Sequence, residues 1–167
     1  KENSEALKDD LEDALDKTKQ LAKELKALEK KLLDKKNLNW EDKKQIEELL
    51  RKQEELKKQV EELKKNNQQN NLRENEFTEP NPRILEKQQR LEELFEEVFN
   101  DEMKKLMEEL REMMEQNNKD AIKEQLDKME LSEKDLEKQL DRMLEMYKQF
   151  EFDKRFEESL EKMEELA

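Results

Sequence analysis

The sequence predicts an all-α protein: an antiparallel coiled-coil hairpin followed by an elongated helical bundle. Three observations carry that expectation. Glycine is absent and only two prolines occur, so the residues that most readily end a helix or turn a chain are nearly missing. Charged residues make up 50% of the chain, and Glu, Lys and Leu at helical spacing suit long solvated helices. The leucines recur in alternating steps of three and four, which is the spacing of a coiled-coil seam.

Residues 1–66 carry the hairpin. Its first arm runs through Leu7, Leu11, Ala14, Thr18, Leu21, Leu25, Leu28 and Leu32, a helix of roughly 50 Å at 1.5 Å per residue. The second arm runs through Ile46, Leu49, Gln53, Leu56, Val60 and Leu63. Pairs such as Glu47 with Arg51 and Glu54 with Lys58 support its outer face. The turn falls near 34–40, with Asn39 as N-cap and Asp42 at the third helical position. Trp40 permits two readings: a ring covering the open end of the seam near Leu33 and Leu38, or a partner-binding side chain. The first is favoured, because amphipathic rings commonly close apolar edges. Folding there pairs Leu32 with Ile46 and Ala14 with Leu63. It leaves Leu7 and Leu11 opposite Asn67 and Asn70, so these two leucines need another helix, from this chain or from sequence outside it.

Residues 67–82, within "NNQQNNLRENEFTEPNP", read as a polar linker, since Asn and Gln are poor seam residues and the prolines bar helix near 79–82. Beyond it the core vocabulary changes, because all six phenylalanines and all eight methionines follow residue 76. Residues 83–167 read as a Phe/Met-cored helical region. A helix through Ile84, Leu91, Leu94, Phe95, Val98 and Phe99 kinks or restarts at Asn100–Asp101 and resumes with Met103, Leu106, Leu110 and Met113. Asn117–Asn118 marks a stop near 117–120, asparagine replacing the usual glycine. A second turn is expected near 130–132, where "LSEKDL" offers Ser132 as N-cap, Asp135 as a short capping-box acid, and Leu131 with Leu136 as a staple. The last helix carries Leu140, Met143, Tyr147, Phe150, Phe156, Leu160 and Met163. It reaches Ala167 with its pattern running, and the chain opens on Lys1, so the segment reads as part of a longer chain.

The composition excludes much chemistry. No histidine and no cysteine are present, which removes the commonest general base, thiol nucleophiles and thiol metal sites. Without glycine there is neither a P-loop nor a dinucleotide fingerprint. Ser4, Ser132 and Ser159 have no evident activating base. Glu108, Glu109 and Glu112 share a helix face, yet the glutamate-plus-histidine motif of di-metal bundles is missing. No enzyme activity, cofactor or metal is expected. A net charge of −13 repels phosphate backbones, against nucleic acid as partner. No apolar run exceeds two residues, so this segment itself makes no membrane contact.

The expected partner is protein, through helix–helix contacts with itself or with the rest of a parent chain. The Met/Phe set is read as ordinary core, the alternative being an adaptable binding groove. Met107, Met114, Met146 and Phe152 lie off the main stripes and, with Leu7 and Leu11, are the candidate partner contacts. The expected function is therefore that of a scaffold or interaction segment. A holdase-like chaperone or client-binding arm, with methionines lining a groove, is the alternative.

Three stretches, "LNWEDKKQIEELLRKQEEL", "RLEELFEEVFNDEMKKLMEELREMMEQNN" and "MELSEKDLEKQLDRMLEMYKQF", resemble a family of large, membrane-anchored, coiled-coil-rich Bacteroidota proteins described only as a domain of unknown function. The similarity covers most of residues 30–167. It implies an interior segment of a far longer chain, tethered to the bacterial inner membrane by helices outside this segment. It brings no catalytic residues with it.

Overall fold

The computed structural model describes residues 2–77, 79–98 and 101–166. Lys1, Thr78, Phe99, Asn100 and Ala167 lie outside the described residues. Among the described residues five helices follow one another: α1 Glu2–Leu33, α2 Trp40–Phe77, α3 Pro82–Glu97, α4 Asp101–Gln116 and α5 Lys119–Leu166. The all-α class is as expected. Among the described residues no helix is long and apolar enough to cross a membrane.

The corner between α1 and α2 is built locally. The Asn39 side chain accepts from the Asp42 N–H at 2.8 Å, and the Asn39 N–H donates to Asp42 Oδ2 at 3.1 Å, a reciprocal capping box made with aspartate. Asp42 is fully buried and receives Lys35 at 2.8 Å and Lys31 at 3.7 Å. Burial works against its charge, but Lys35, the Asn39 N–H and Lys31 outweigh it and hold the carboxyl below its usual range. Trp40 does not cover the seam. It is 72% exposed, with Lys44 Nζ 4.9 Å from its ring centroid. The seam position four before Ile46 belongs to Asp42, and Leu38, not Leu33, is the buried leucine of the corner.

Polar pairs fix the directions of the rods. Lys31 with Gln45, Glu24 with Lys52 and Lys17 with Gln59 run α1 and α2 antiparallel. Lys119 donates to the Leu33 carbonyl at 3.4 Å, while Arg155 meets Glu5 at 3.7 Å, so α5 also runs antiparallel to α1. Lys64 with Glu96 sets α3 against the end of α2, and Asn81 with Glu157 sets it against α5. In α4, Leu106 and Arg111 meet Gln125 of α5 and Glu54 of α2. Helices α3 and α4 therefore rise as one interrupted rod, and the four rods go up, down, up, down.

One apolar core runs through all five helices, from Leu7 and Leu11 through Leu56, Leu91 and Leu110 to Leu140 and Tyr147. The sequence suggests a slim hairpin, then a separate thicker region; instead α1 lies between α2 and α5, and its most extensive contact is with α5. At about 25 cal/mol per Å2 of apolar surface removed from water, sharing one core lets each seam bury two flanks rather than one.

Two expected breaks are absent. The linker over 67–82 is helix as far as Phe77, because Asn67 and Asn70 continue the Leu56–Val60–Leu63 steps and are buried at seam positions. Asn71 and Asn75 tie this stretch to Glu92 and Gln88 of α3. Among the described residues only 79–81 separate the two helices, and Pro82 opens α3 behind the Asn81 cap, which accepts from the Ile84 N–H at 2.9 Å. The turn near 130–132 is likewise helix, since α5 passes through it unbroken. Ser132 is no cap: its hydroxyl donates to Met103 Sδ at 3.5 Å. The stop near 117–120 is present, with Asn117 at φ 56° and the Asn118 side chain accepting from the Ala121 N–H at 3.3 Å.

Candidate functional site

Of the buried acids Asp42, Glu130 and Glu133 among the described residues, the first two are paired with lysines and Glu133 is not. Glu133 of α5 occupies a seam position between Met129 and Leu136, with no solvent exposure, and Gln53 of α2 is almost as buried. Among the described residues neither carboxylate oxygen of Glu133 has a hydrogen-bond partner, nor does either amide atom of Gln53. Burial pushes the Glu133 carboxyl up to about 8, while Gln53, facing it without hydrogen-bond geometry, favours the charged form slightly. With its carboxyl raised to about 8, the group is mostly a neutral acid at neutral pH. Sealed from solvent, it meets no substrate.

A second cluster lies on the surface, where α1 and α5 run side by side. Carboxylate oxygens of Glu29, Asp127 and Glu130 all lie within 4.8 Å of one another. Burial, then the neighbouring Glu130 and Asp127, push Glu29 up to about 7. Glu130 stays below its usual range: burial opposes its charge, but the Glu29 proton and Lys134, at 3.3 Å, outweigh it. The trough around the trio is about 630 Å3 and is also lined by Lys26, Lys30 and Lys123. Three carboxylates with lysines beside them leave a divalent cation mostly water-coordinated and in competition with ammonium groups. Of the acids singled out in α4, Glu109 accepts from Gln125 at 3.2 Å as part of the helix contact, and Glu108 and Glu112 face solvent.

The six expected contact residues separate. Leu7, Leu11 and Met107 are buried in the shared core. The first two are covered because α5 of the same chain lies along α1. Met107 is covered because the interruption between α3 and α4 resets the phase, so that Met103, Met107 and Leu110 form the inward stripe. Met114 and Met146 are partly buried against the core. Only Phe152 stands in solvent.

Phe152 does not stand alone: Phe156, Leu160 and Met163, expected to continue the core stripe of the last helix, are exposed as well. Phe152, Phe156, Leu160, Met163 and Leu166 are between 46% and 89% exposed. The inward stripe of α5 runs Ile122, Leu126, Met129, Glu133, Leu136, Leu140, Met143, Tyr147, Phe150 in steps of four and three. The next apolar step is two, to Phe152. At about 100° per residue this turns the apolar face by roughly half a circle, away from the bundle. The inward positions beyond Phe150 pass to Lys154, Glu157 and Glu161, which line a cleft with Phe77 and Ile84. Residues 158–166 are exposed on every side, clear of the Arg155–Glu5 contact. The missed signal was that two-residue step.

Compared with known proteins, the chain matches no family model, and no curated protein or solved structure matches it significantly.

Proposed function

We propose that this bundle is a non-catalytic scaffold, or protein–protein interaction segment, working through helix–helix contact. The observation that carries this reading is the outward stripe of α5. A bundle that buries its seams so thoroughly keeps five large apolar side chains in water on one face of one helix, and contiguous exposed apolar surface of this kind marks interaction sites. The titratable clusters support the same reading, since one is sealed and the other is a solvated seam of acids and lysines. A larger, membrane-tethered parent molecule belongs to this proposal through the resemblance of its motifs. One of its three stretches, "MELSEKDLEKQLDRMLEMYKQF", lies within α5 and not at a corner.

The holdase alternative needs an open methionine groove, and Met103, Met107, Met129 and Met143 are buried. The test is a dye that fluoresces on apolar surface. At dilutions where the single chain prevails the protein binds it, and Phe156→Asp with Met163→Asp removes most of the signal at unchanged helicity, since both side chains are exposed. Equal dye binding by the variant contradicts the reading, because the accessible apolar surface then lies elsewhere.

A further inference from the structure

We infer that the outward stripe of α5 pairs with the same stripe of a second copy, parallel and in register; this rests on the interaction reading above and names its partner. Three features of the molecule support a second copy. The first is direction. Because the stripe lies about half a turn from Tyr147 and Phe150, two chains joined through it place their bundles on opposite sides of the paired tails, so nothing in one bundle obstructs the other.

The second is charge. On a helical projection the stripe has Glu164 along one flank and Lys162 along the other, both exposed. An antiparallel two-fold pair sets like flanks together, acid on acid and base on base. A parallel two-fold pair sets Lys162 against Glu164 of the second copy, at neighbouring levels. Opposite charges at such flanking positions select orientation in paired helices. The third is area. Two phenylalanines, two leucines and a methionine expose on the order of 500 Å2 per chain. Two such faces and their flanks bury about 1,000 Å2 or more together, the lower range of specific interfaces. The outward face before Phe152 carries Asp141, Glu145 and Lys148, so the patch is bounded to the last turns of α5.

The test uses the full chain, which has no cysteine of its own. In sedimentation and light scattering, mass rises from 20.5 kDa toward twice that value with concentration. Phe156→Asp with Met163→Asp returns it to the single chain without loss of helicity. Met163→Cys, mildly oxidised, then cross-links Met163 positions that a parallel pair brings together, giving most of the protein as a covalent dimer. A dimer that does not cross-link at 163 but does at 155 with 163 overturns the parallel arrangement. A monomer at all concentrations whose α5 tail exchanges slowly and binds dye overturns self-pairing while leaving the interaction reading in place. A monomer whose tail exchanges freely and binds no dye overturns both.

Discussion

Glu133 shows how one residue can be decisive and still hide. It fills a seam position with no partner among the described residues, so it disfavours the fold whenever it is charged. Its folded carboxyl titrates near 8 against an ordinary 4.5, so the folded chain holds a proton that the unfolded chain has released. Stability from this group is therefore fullest below about pH 4.5 and declines as pH rises through about 8. Glu29, raised to about 7, works in the same direction. Asp42, held low, works oppositely and is lost only under acid conditions. Urea unfolding midpoints should fall between pH 5 and pH 9. Glu133→Gln should flatten most of that fall, and Glu133→Leu should stabilise the protein at pH 9 by about 1–3 kcal/mol, the range for an unpartnered buried polar group. An unchanged pH slope in Glu133→Gln would place the titration elsewhere.

At the scale of elements, the sequence could be read wherever seam positions hold leucine and could not where they hold something polar. All eight seam residues of α1 are buried as expected, and the caps at Asn39 and Asn117 are where the residues suggested. The false linker and the false turn share one cause. Asn67, Asn70 and Glu133 keep the three-four step with polar side chains, and a period counted on apolar residues alone stops at each of them. The same habit concealed the candidate site from the other direction. Phe156, Leu160 and Met163 are apolar and helically spaced, so they passed as core although they stand half a turn out of phase. Continuity of α5 can be checked at Lys134, which is exposed. Proline there would be tolerated in the first turn after a Ser132 cap. Within an unbroken α5, Lys134→Pro should cost about 3 kcal/mol or more, read as a drop in the denaturation midpoint. A midpoint shift of a few tenths would restore the corner.

In the molecule as a whole α1 is shared: the hairpin and the later helices form one four-rod bundle with a single core. That arrangement accounts for the burial of Leu7 and Leu11, for the sealed Glu133 layer, and for the turning of the α5 apolar face outward beyond Phe150. The most direct test is a spin-label distance measurement, with cysteines placed singly in this cysteine-free chain at Glu5 and Arg155 and, separately, at Lys30 and Lys123. All four side chains are exposed or nearly so, so labelling leaves the core intact, and dilution with unlabelled chain isolates distances within one molecule. The shared bundle predicts a short, narrow distance in both pairs, about 20 Å or less for labels on packed neighbouring helices. A broad distribution, or a long distance between 5 and 155, would mean that α5 does not lie along α1 and that the hairpin and the later helices are separate bodies.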